Sequence, residues 1–334
     1  MKHLTPSLIV GCMAAFGLVL GYSAPALAAK HVKITTHGNT SHPLVVAMEE
    51  MKKFIEEKTG GEYVLDIYPS SKLGTMETCY QGMRLGTVHM VVEGPSNICK
   101  FVPAFKIFDL PYLFPNQDIA DEILSGPVGK KLLADTSNPS VTMLRFLHYG
   151  SRVLFTTTPV NSANDLKGKK IRASGSPVHI AALEAFGISS VPMPVTEIYT
   201  SLQQGVIDGT DVDIPGQFTN RWYEKANHAF MSRHIYVPHL LMVSTAWWNK
   251  LPQDVKKVFE EAADMYCKRS RELLIENDVT SLDAMKEKGL VVTEMKPEEV
   301  ALWKEETKDL YKQFPDIPAD LLNSIRAEVA RLEK

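Results

Sequence analysis

The stretch that decides the fold reads DLKGKKIRASGSP at residues 165–177. Its first part is a polar turn leading into a short strand at Lys170 and Ile171, and this strand places Arg172 at its carboxyl end. Residues 178–186 follow as a helix with one apolar side. In an open α/β sheet, the carboxyl ends of the strands border the ligand crevice. A guanidinium there is a permanently charged fork that suits a carboxylate or a phosphate.

The segments that follow repeat this alternation of strand, loop and helix. An extended run at 191–194 precedes a helix predicted over 196–205, and a short strand is predicted at 206–209. Residues 210–215 would then form the loop at the carboxyl end of that strand.

The rest of the chain has the same character. Strands predicted at 31–36 and 62–68 flank a helix, and such a βαβ unit implies a parallel sheet. Residues 252–288 form one long helical pattern, which suits a strut that spans two domains. The fold class predicted from these patterns is α/β.

Composition and charge exclude several classes of function. The 334 residues are 45% hydrophobic and 22% charged, which is typical of a globular protein large enough for two domains. The formal net charge of -3 gives no basic field for nucleic acid or an anionic membrane surface. We find no G-x-S-x-G, H-E-x-x-H or P-loop motif, and the histidines lack ligand spacing. We therefore expect no catalytic residues, cofactor or dedicated metal site.

The first residues have the pattern of a secretory signal peptide. An apolar run from Leu8 to Leu20 is followed by Ala26-Leu27-Ala28, a cleavage signal, so residues 1–28 are expected to be removed on export. Cys79 and Cys99 would be able to pair in an oxidising compartment, but their spacing does not test the geometry.

Five motifs together resemble one known family. They are DLKGKKIR (165–172), PMPVTEIY (192–199), LQQGVIDG (202–209), YPSSKLG (68–74) and FDLPYLF (108–114). The chain is similar to the substrate-binding proteins of TRAP transporters, the DctP-type periplasmic receptors. This resemblance covers about residues 31–330. It implies a two-lobed fold like that of periplasmic binding proteins, in which each lobe is a sheet flanked by helices. Strands cross between the lobes, a long helix bridges them, and the ligand is enclosed at their interface.

The resemblance and the predicted crossings set the domain boundaries. After the signal peptide, we expect lobe I to comprise 29–149 plus 239–280. We expect lobe II to comprise 150–238 plus 281–334.

The same resemblance assigns roles to three charged residues. Arg172 falls on the family's arginine that grips the ligand carboxylate, although local sequence alone favours a surface arginine or an ion pair. Arg152 matches a second arginine just after the first crossing, where it would add an anion contact or form a hinge ion pair. Glu93 falls where some members place a pocket acid, and a cap or hinge role is the alternative.

Three further positions concern the ligand's size and polarity. Asp211 and Asp213 fall where members place an acid or amide that reaches the ligand from the second lobe. Because a carboxylate near Arg172 would repel a simple diacid, these two residues argue against a plain C4-dicarboxylate. Val195 stands where relatives often have an aromatic residue, so it leaves room for a bulkier ligand.

The remaining candidates are Ser41, His42, Phe218 and Trp222. Ser41 and His42 follow the first strand at a crevice position, although a loop histidine is more often simply exposed. Phe218 and Trp222 are candidate aromatic residues of the cleft.

The function implied is that of a monomeric periplasmic receptor, not an enzyme. A small organic acid would dock on Arg172 and favour hinge closure, and the closed protein would deliver it to the membrane subunits of a TRAP permease. Two alternatives are the binding protein of an ABC-type importer and a secreted enzyme on a similar scaffold. Turnover of the bound ligand would distinguish an enzyme from a receptor.

Overall fold

The structure is a computed structural model and describes residues 28–334. The predicted signal peptide therefore lies outside the described residues, apart from Ala28. Within residues 28–334, no helix combines the length and apolar character needed to cross a membrane.

The first of two sheets contains five strands. They are β1 (Lys30–Thr36), β2 (Tyr63–Tyr68), β3 (Met90–Glu93), β4 (Val141–Ser151) and β10 (Tyr236–Ser244). Their order across the sheet is β2-β1-β3-β10-β4. β1 is parallel to β2 and β3, as the βαβ pattern predicts, whereas β10 is antiparallel to β3 and β4.

The second sheet contains six strands. They are β5 (Val153–Thr156), β6 (Lys170–Ala173), β7 (Ser189–Pro192), β8 (Gly209–Val212), β9 (His228–Met231) and β11 (Val291–Glu294). Their order is β11-β9-β5-β8-β6-β7. β6 is parallel to both β7 and β8, so the carboxyl ends of these three strands lie at one edge.

Helices cover both sheets. They are α1 (Pro43–Lys58), α2 (Met76–Leu85), α3 (Pro95–Ile98), α4 (Gln117–Ser125), α5 (Pro127–Thr136), α6 (Pro177–Ala185), α7 (Ile198–Gln203), α8 (Ile214–Thr219), α9 (Thr245–Trp248), α10 (Gln253–Glu287), α11 (Pro297–Thr307) and α12 (Ala319–Leu332). The predicted fold class, two α/β lobes with sheets flanked by helices, is confirmed.

The chain passes between the lobes where β4 leads into β5 and where β9 leads into β10. Arg152 lies in the first crossing, and its backbone N–H donates to the carbonyl of Ile235 in the second at 2.9 Å. The long helix α10 contacts α1 and β4 of the first lobe and α8 of the second. It therefore bridges the two lobes, as the length of its pattern predicts.

The C-terminal helix corrects one expected boundary. α12 packs against α4 and α5 of the first lobe, where Leu322 and Ile325 are buried in the core. The segment 281–334 therefore does not belong wholly to the second lobe, although β11 within it pairs with β9. The apolar stripe of α12 explains the difference, because α4 and α5 bury it.

One strand lies three residues beyond its predicted position. The sequence predicts a strand at 206–209, but Val206 is 48% exposed and β8 occupies Gly209–Val212. Gly209 lies so close to β5 that a Cβ there would stand 2.1 Å from the carbonyl oxygen of Phe155. This close approach fixes Gly209 inside the sheet and moves Asp211 from the predicted loop into a strand.

Cys79, Cys99 and Cys267 are free thiols. Burial raises the pKa of both Cys79 and Cys99 to about 11, so these two thiols stay protonated at neutral pH.

Candidate functional site

A cavity lies between the lobes beside the two crossings. The space between the atoms amounts to about 650 Å³, counting the part that opens to solvent. Seven of the ten residues predicted from sequence line it: Arg172, Arg152, Glu93, Asp213, His42, Val195 and Trp222. The structure therefore brings most of the candidates together, and their binding roles stay predictions.

Arg172 stands near the carboxyl end of β6, and its side chain is held rigidly. Its Nε and Nη2 both donate to the carbonyl oxygen of Met193, at 3.1 and 3.0 Å. Nη1 makes no hydrogen bond to the described part of the chain. Burial, together with the charge of Arg152, lowers the pKa of Arg172 to about 10. The residue remains a cation at neutral pH and keeps a free donor.

Arg152 joins the lobes at the first crossing. Its Nη1 donates to the backbone carbonyl of Asp211 at 2.8 Å, and Nη2 lies 3.4 Å from Ser96 Oγ. Its Nε is buried and has no hydrogen-bond partner within residues 28–334. Two guanidiniums with unused donors thus face one cavity, which favours an anionic ligand.

Asp213 connects the two walls of the cavity. It caps α8 by accepting from Gly216 N–H at 2.7 Å, and the hydroxyl of Tyr149 donates to its other oxygen at 2.8 Å. His42 Nε2 lies 3.7 Å away. Burial would raise the pKa of Asp213, but these three contacts outweigh it and lower the pKa. Asp213 is therefore an anion that is already engaged by protein groups.

Glu93 ends β3 on the wall of the first lobe. It accepts from Gly94 N–H at 2.8 Å and from Asn97 Nδ2 at 3.2 Å, and His37 Nδ1 lies 3.2 Å from it. Burial would raise the pKa of Glu93, but His37 and these hydrogen bonds lower it. Burial likewise opposes protonation of His37, yet Glu93 outweighs it and raises the pKa of that histidine.

His239 of β10 lies beside these groups, and its pKa shifts in the opposite direction from that of His37. Its ring stacks on Tyr149 with 3.6 Å between centroids. Burial, with the nearby His37 and His42, lowers the pKa of His239 well below its usual value, so the ring is neutral.

Three predicted residues do not line the cavity. The side chain of Asp211 points away, because its place within β8 turns it toward His179 and His234. Ser41 is exposed, and its hydroxyl donates to Asn39 at 2.9 Å. Phe218 is half-buried and packs with Tyr223 against the core of the second lobe.

Sequence reasoning missed several polar residues that line the cavity, among them His37, Asn97, Tyr149 and His239. The position of His37 after the first strand offered a signal. Tyr149 could have been found from its place beside the first crossing. His239 lies inside a long apolar strand, and no local pattern distinguishes it from a core residue.

Comparison with known proteins identifies the family. Residues 34–316 match the family DctP, described as bacterial extracellular solute-binding protein, family 7. The chain belongs to this family. The DctP resemblance seen in the motifs is thereby confirmed.

Relatives and solved structures agree with this assignment. The chain is 29% identical over 297 residues to the 2,3-diketo-L-gulonate-binding periplasmic protein YiaO of Escherichia coli, covering 88% of this chain and 89% of that protein. A TRAP periplasmic solute-binding protein of Shewanella oneidensis with bound succinate superposes with a TM-score of 0.86 at 26% identity, over 90% of this chain and 100% of that one. One of Xanthobacter autotrophicus with bound β-D-galacturonate has a TM-score of 0.84 at 25% identity, over 90% and 99%.

The family settles the class of protein. Its members are solute-binding proteins, which confirms the expectation of a receptor and not an enzyme. The named relatives are periplasmic.

Proposed function

We propose that this DctP-family protein is a periplasmic receptor that binds a small organic acid between its lobes, with the carboxylate held by Arg172. The observation that carries this proposal is the placement of that guanidinium. It is 4% exposed, two of its nitrogens are fixed on Met193, and its remaining donor is free beside the cavity. A buried cation without a carboxylate partner is costly, and a ligand carboxylate relieves that cost.

The charges around the cavity narrow the ligand class. Glu93 and Asp213 lie on the same walls as Arg152 and Arg172, so the ligand faces two carboxylates as well as two cations. A hydroxylated monoacid satisfies both, because its hydroxyl groups donate to carboxylates while its own carboxylate accepts from arginine. Relatives with bound galacturonate and glucuronate have ligands of this type.

Closure of the lobes would follow from contacts that both lobes share. Asn39 of the first lobe donates to the carbonyl of Thr219 in the second at 2.9 Å, and Tyr149 donates to Asp213 across the cavity. A ligand that binds between these walls favours the closed form. The closed receptor, acting as a monomer, then delivers the acid to a TRAP permease driven by an ion gradient.

The experiment is calorimetric titration of galacturonate, glucuronate and succinate into the wild type and the Arg172→Lys variant. Lysine keeps the charge but cannot both hold Met193 and present a planar fork, so we expect affinity to fall about 10- to 100-fold. Arg84→Lys, on the exposed face of α2, is the matched control and should bind as the wild type does. Unchanged affinity in Arg172→Lys would show that the carboxylate sits elsewhere. Recovery of an altered acid after incubation would indicate an enzyme.

A further inference from the structure

Three side chains capable of binding a metal meet on the wall of the first lobe. His37 follows β1, Glu93 ends β3 and His239 lies in β10, and these three strands are neighbours in the sheet. One donor atom from each lies within 4.8 Å of the others. We propose that His37, Glu93 and His239 bind a divalent first-row transition-metal ion.

The strand register explains why the three donors lie next to one another across the sheet. Thr36 pairs with Val92, so His37 continues beside Glu93. Leu240 of the antiparallel strand pairs with Glu93, so His239 is one residue from that level. Gly94 makes room for the imidazole, since a Cβ there would stand 3.3 Å from His239 Cε1.

His239 is the observation that points to a ligand. The residue is 2% exposed, and neither ring nitrogen has a hydrogen-bond partner within residues 28–334. Its ring is nevertheless held firmly, because it stacks on Tyr149 at an interplanar angle of 12°. A buried polar group normally has a partner, so a fixed imidazole with two unused nitrogens is arranged for something besides the protein.

His37 is oriented by a chain of hydrogen bonds. The hydroxyl of Tyr149 donates to Asp213, so its oxygen is left to accept from His37 Nε2–H at 3.2 Å. Nδ1 then faces Glu93 at 3.2 Å without a hydrogen-bond geometry. Such support of the distal nitrogen is the usual arrangement behind a metal-binding histidine.

In this tautomer, His37 Nδ1 presents a lone pair to the carboxylate of Glu93, so a proton or a metal ion must lie between them. A proton on His37 satisfies this pair but leaves His239 without a partner. A metal ion serves all three donors at once. Arg152 and Arg172 line the same cavity and oppose a dication, whereas Glu93 and Asp213 offset them.

The donor set selects the kind of ion. Two imidazoles and one carboxylate suit Zn²⁺ and its first-row neighbours, whereas Ca²⁺ and Mg²⁺ require oxygen ligands. Bonds of about 2.0–2.2 Å to a tetrahedral Zn²⁺ place donor atoms about 3.4 Å apart. The three donor atoms now lie within 4.8 Å of one another, so they would have to close to that spacing when the ion binds.

The test uses the full chain, stripped with a chelator and titrated with ZnCl₂ alone. We expect one ion per chain by calorimetry, and a tetrahedral absorption spectrum when Co²⁺ replaces Zn²⁺. His239→Gln and Glu93→Gln should each weaken Zn²⁺ binding by at least about 100-fold, since loss of an outer partner alone costs 10–100-fold. His31→Gln is the matched control, because His31 is exposed near Asp66 in the same sheet.

Each outcome of this test either supports the proposal or overturns it. A wild-type chain that takes up no Zn²⁺ overturns the proposal, and so does equal affinity in the wild type and His239→Gln. Equal losses in His31→Gln and His239→Gln indicate adventitious surface binding and also overturn it. If His239→Gln fails to fold in the chelator, Glu93→Gln decides the question. No organic acid is present, so the result is independent of the proposed receptor function.

Discussion

Two clusters of side chains in this protein have the same composition, but one is buried in the second lobe and the other lines the cavity. Each contains two histidines and one carboxylate. We call one the inner cluster (His179, Asp211 and His234, in the second lobe) and the other the cavity cluster (His37, Glu93 and His239, on the first). All three residues of the inner cluster are completely buried.

In the inner cluster, His179 is held by hydrogen bonds at both ends of its imidazole, and His234 is held at its Nδ1 end. Ser174 and Ser232 contact the Nδ1 atoms of His179 and His234 at 2.7 and 2.9 Å. Both Nε2 atoms face Asp211, and that of His179 donates to it. In the cavity cluster, His239 has no such support. Composition therefore does not distinguish the two clusters, whereas the hydrogen-bond partners of their histidine rings do.

The largest expected effect comes from removing the acid of the inner cluster. Burial would raise the pKa of Asp211, but His234 and His179 outweigh it and hold the pKa far below its usual value. Asp211→Asn removes this anion from two buried imidazoles. We expect the free energy of unfolding to fall by about 3 kcal/mol, measured by urea denaturation.

The matched change in the cavity cluster is Glu93→Gln. The amide oxygen can still accept from Gly94 N–H, so we expect a loss below about 1 kcal/mol. Equal losses in Asp211→Asn and Glu93→Gln would remove the distinction between the clusters.

A third carboxylate sharpens the comparison because no histidine is bonded to it. Asp278 in α10 is half-buried, and burial, with the charge of Asp213, raises its pKa to about 7. Because the folded pKa exceeds that of the unfolded chain, Asp278 favours folding below about pH 4, and this contribution is lost as the pH rises to 7.

Asp278→Asn should therefore stabilise the protein at pH 8 and leave it unchanged near pH 4. We expect a gain of about 1–2 kcal/mol at pH 8, reduced from the full shift by partial solvent exposure. Thermal and urea unfolding at both pH values would measure it. Asp283→Asn, on the exposed side of the same helix, should shift stability little at either pH. A gain that is the same at pH 4 and pH 8 would contradict the assignment to Asp278.

Periodicity predicted most elements of the fold, and of its failures one has a local cause and another a long-range cause. Residues 117–135 have one helical pattern, yet the structure breaks it into α4 and α5 at Gly126 and Pro127, since proline cannot continue the preceding helix. The position of β8 depends on the fit of Gly209 against β5, a long-range contact that no local pattern carries.

Site residues near the ends of strands could be predicted from the sequence. Residues whose place in the site depends on the direction of the side chain could not. Arg172 lies near the end of β6 and Glu93 ends β3, and both line the cavity. Asp211 and Asp213 are two residues apart, but one lies within β8 and the other caps α8. A three-residue error in the strand was enough to misplace Asp211. His239 required the pairing of β10 with β3, which joins distant parts of the chain.

The smallest expected effect concerns the serine behind one imidazole of the inner cluster. Ser232 is buried, and its hydroxyl contacts His234 Nδ1 at 2.9 Å. Ser232→Ala should lower the free energy of unfolding by about 1 kcal/mol, because it removes one buried hydrogen bond. Ser324→Ala, which loses an exposed hydroxyl contact in α12, should cost less.

A double-mutant cycle tests whether Ser232 acts through the cluster. In the Asp211→Asn background, His234 has already lost its anion, so fixing its ring brings less stability. We expect the loss caused by Ser232→Ala to shrink by about 0.5 kcal/mol or more in that background. Strictly additive losses would mean that Ser232 and Asp211 stabilise the lobe independently, and that the support behind the ring does not explain why this cluster differs from the one facing the cavity.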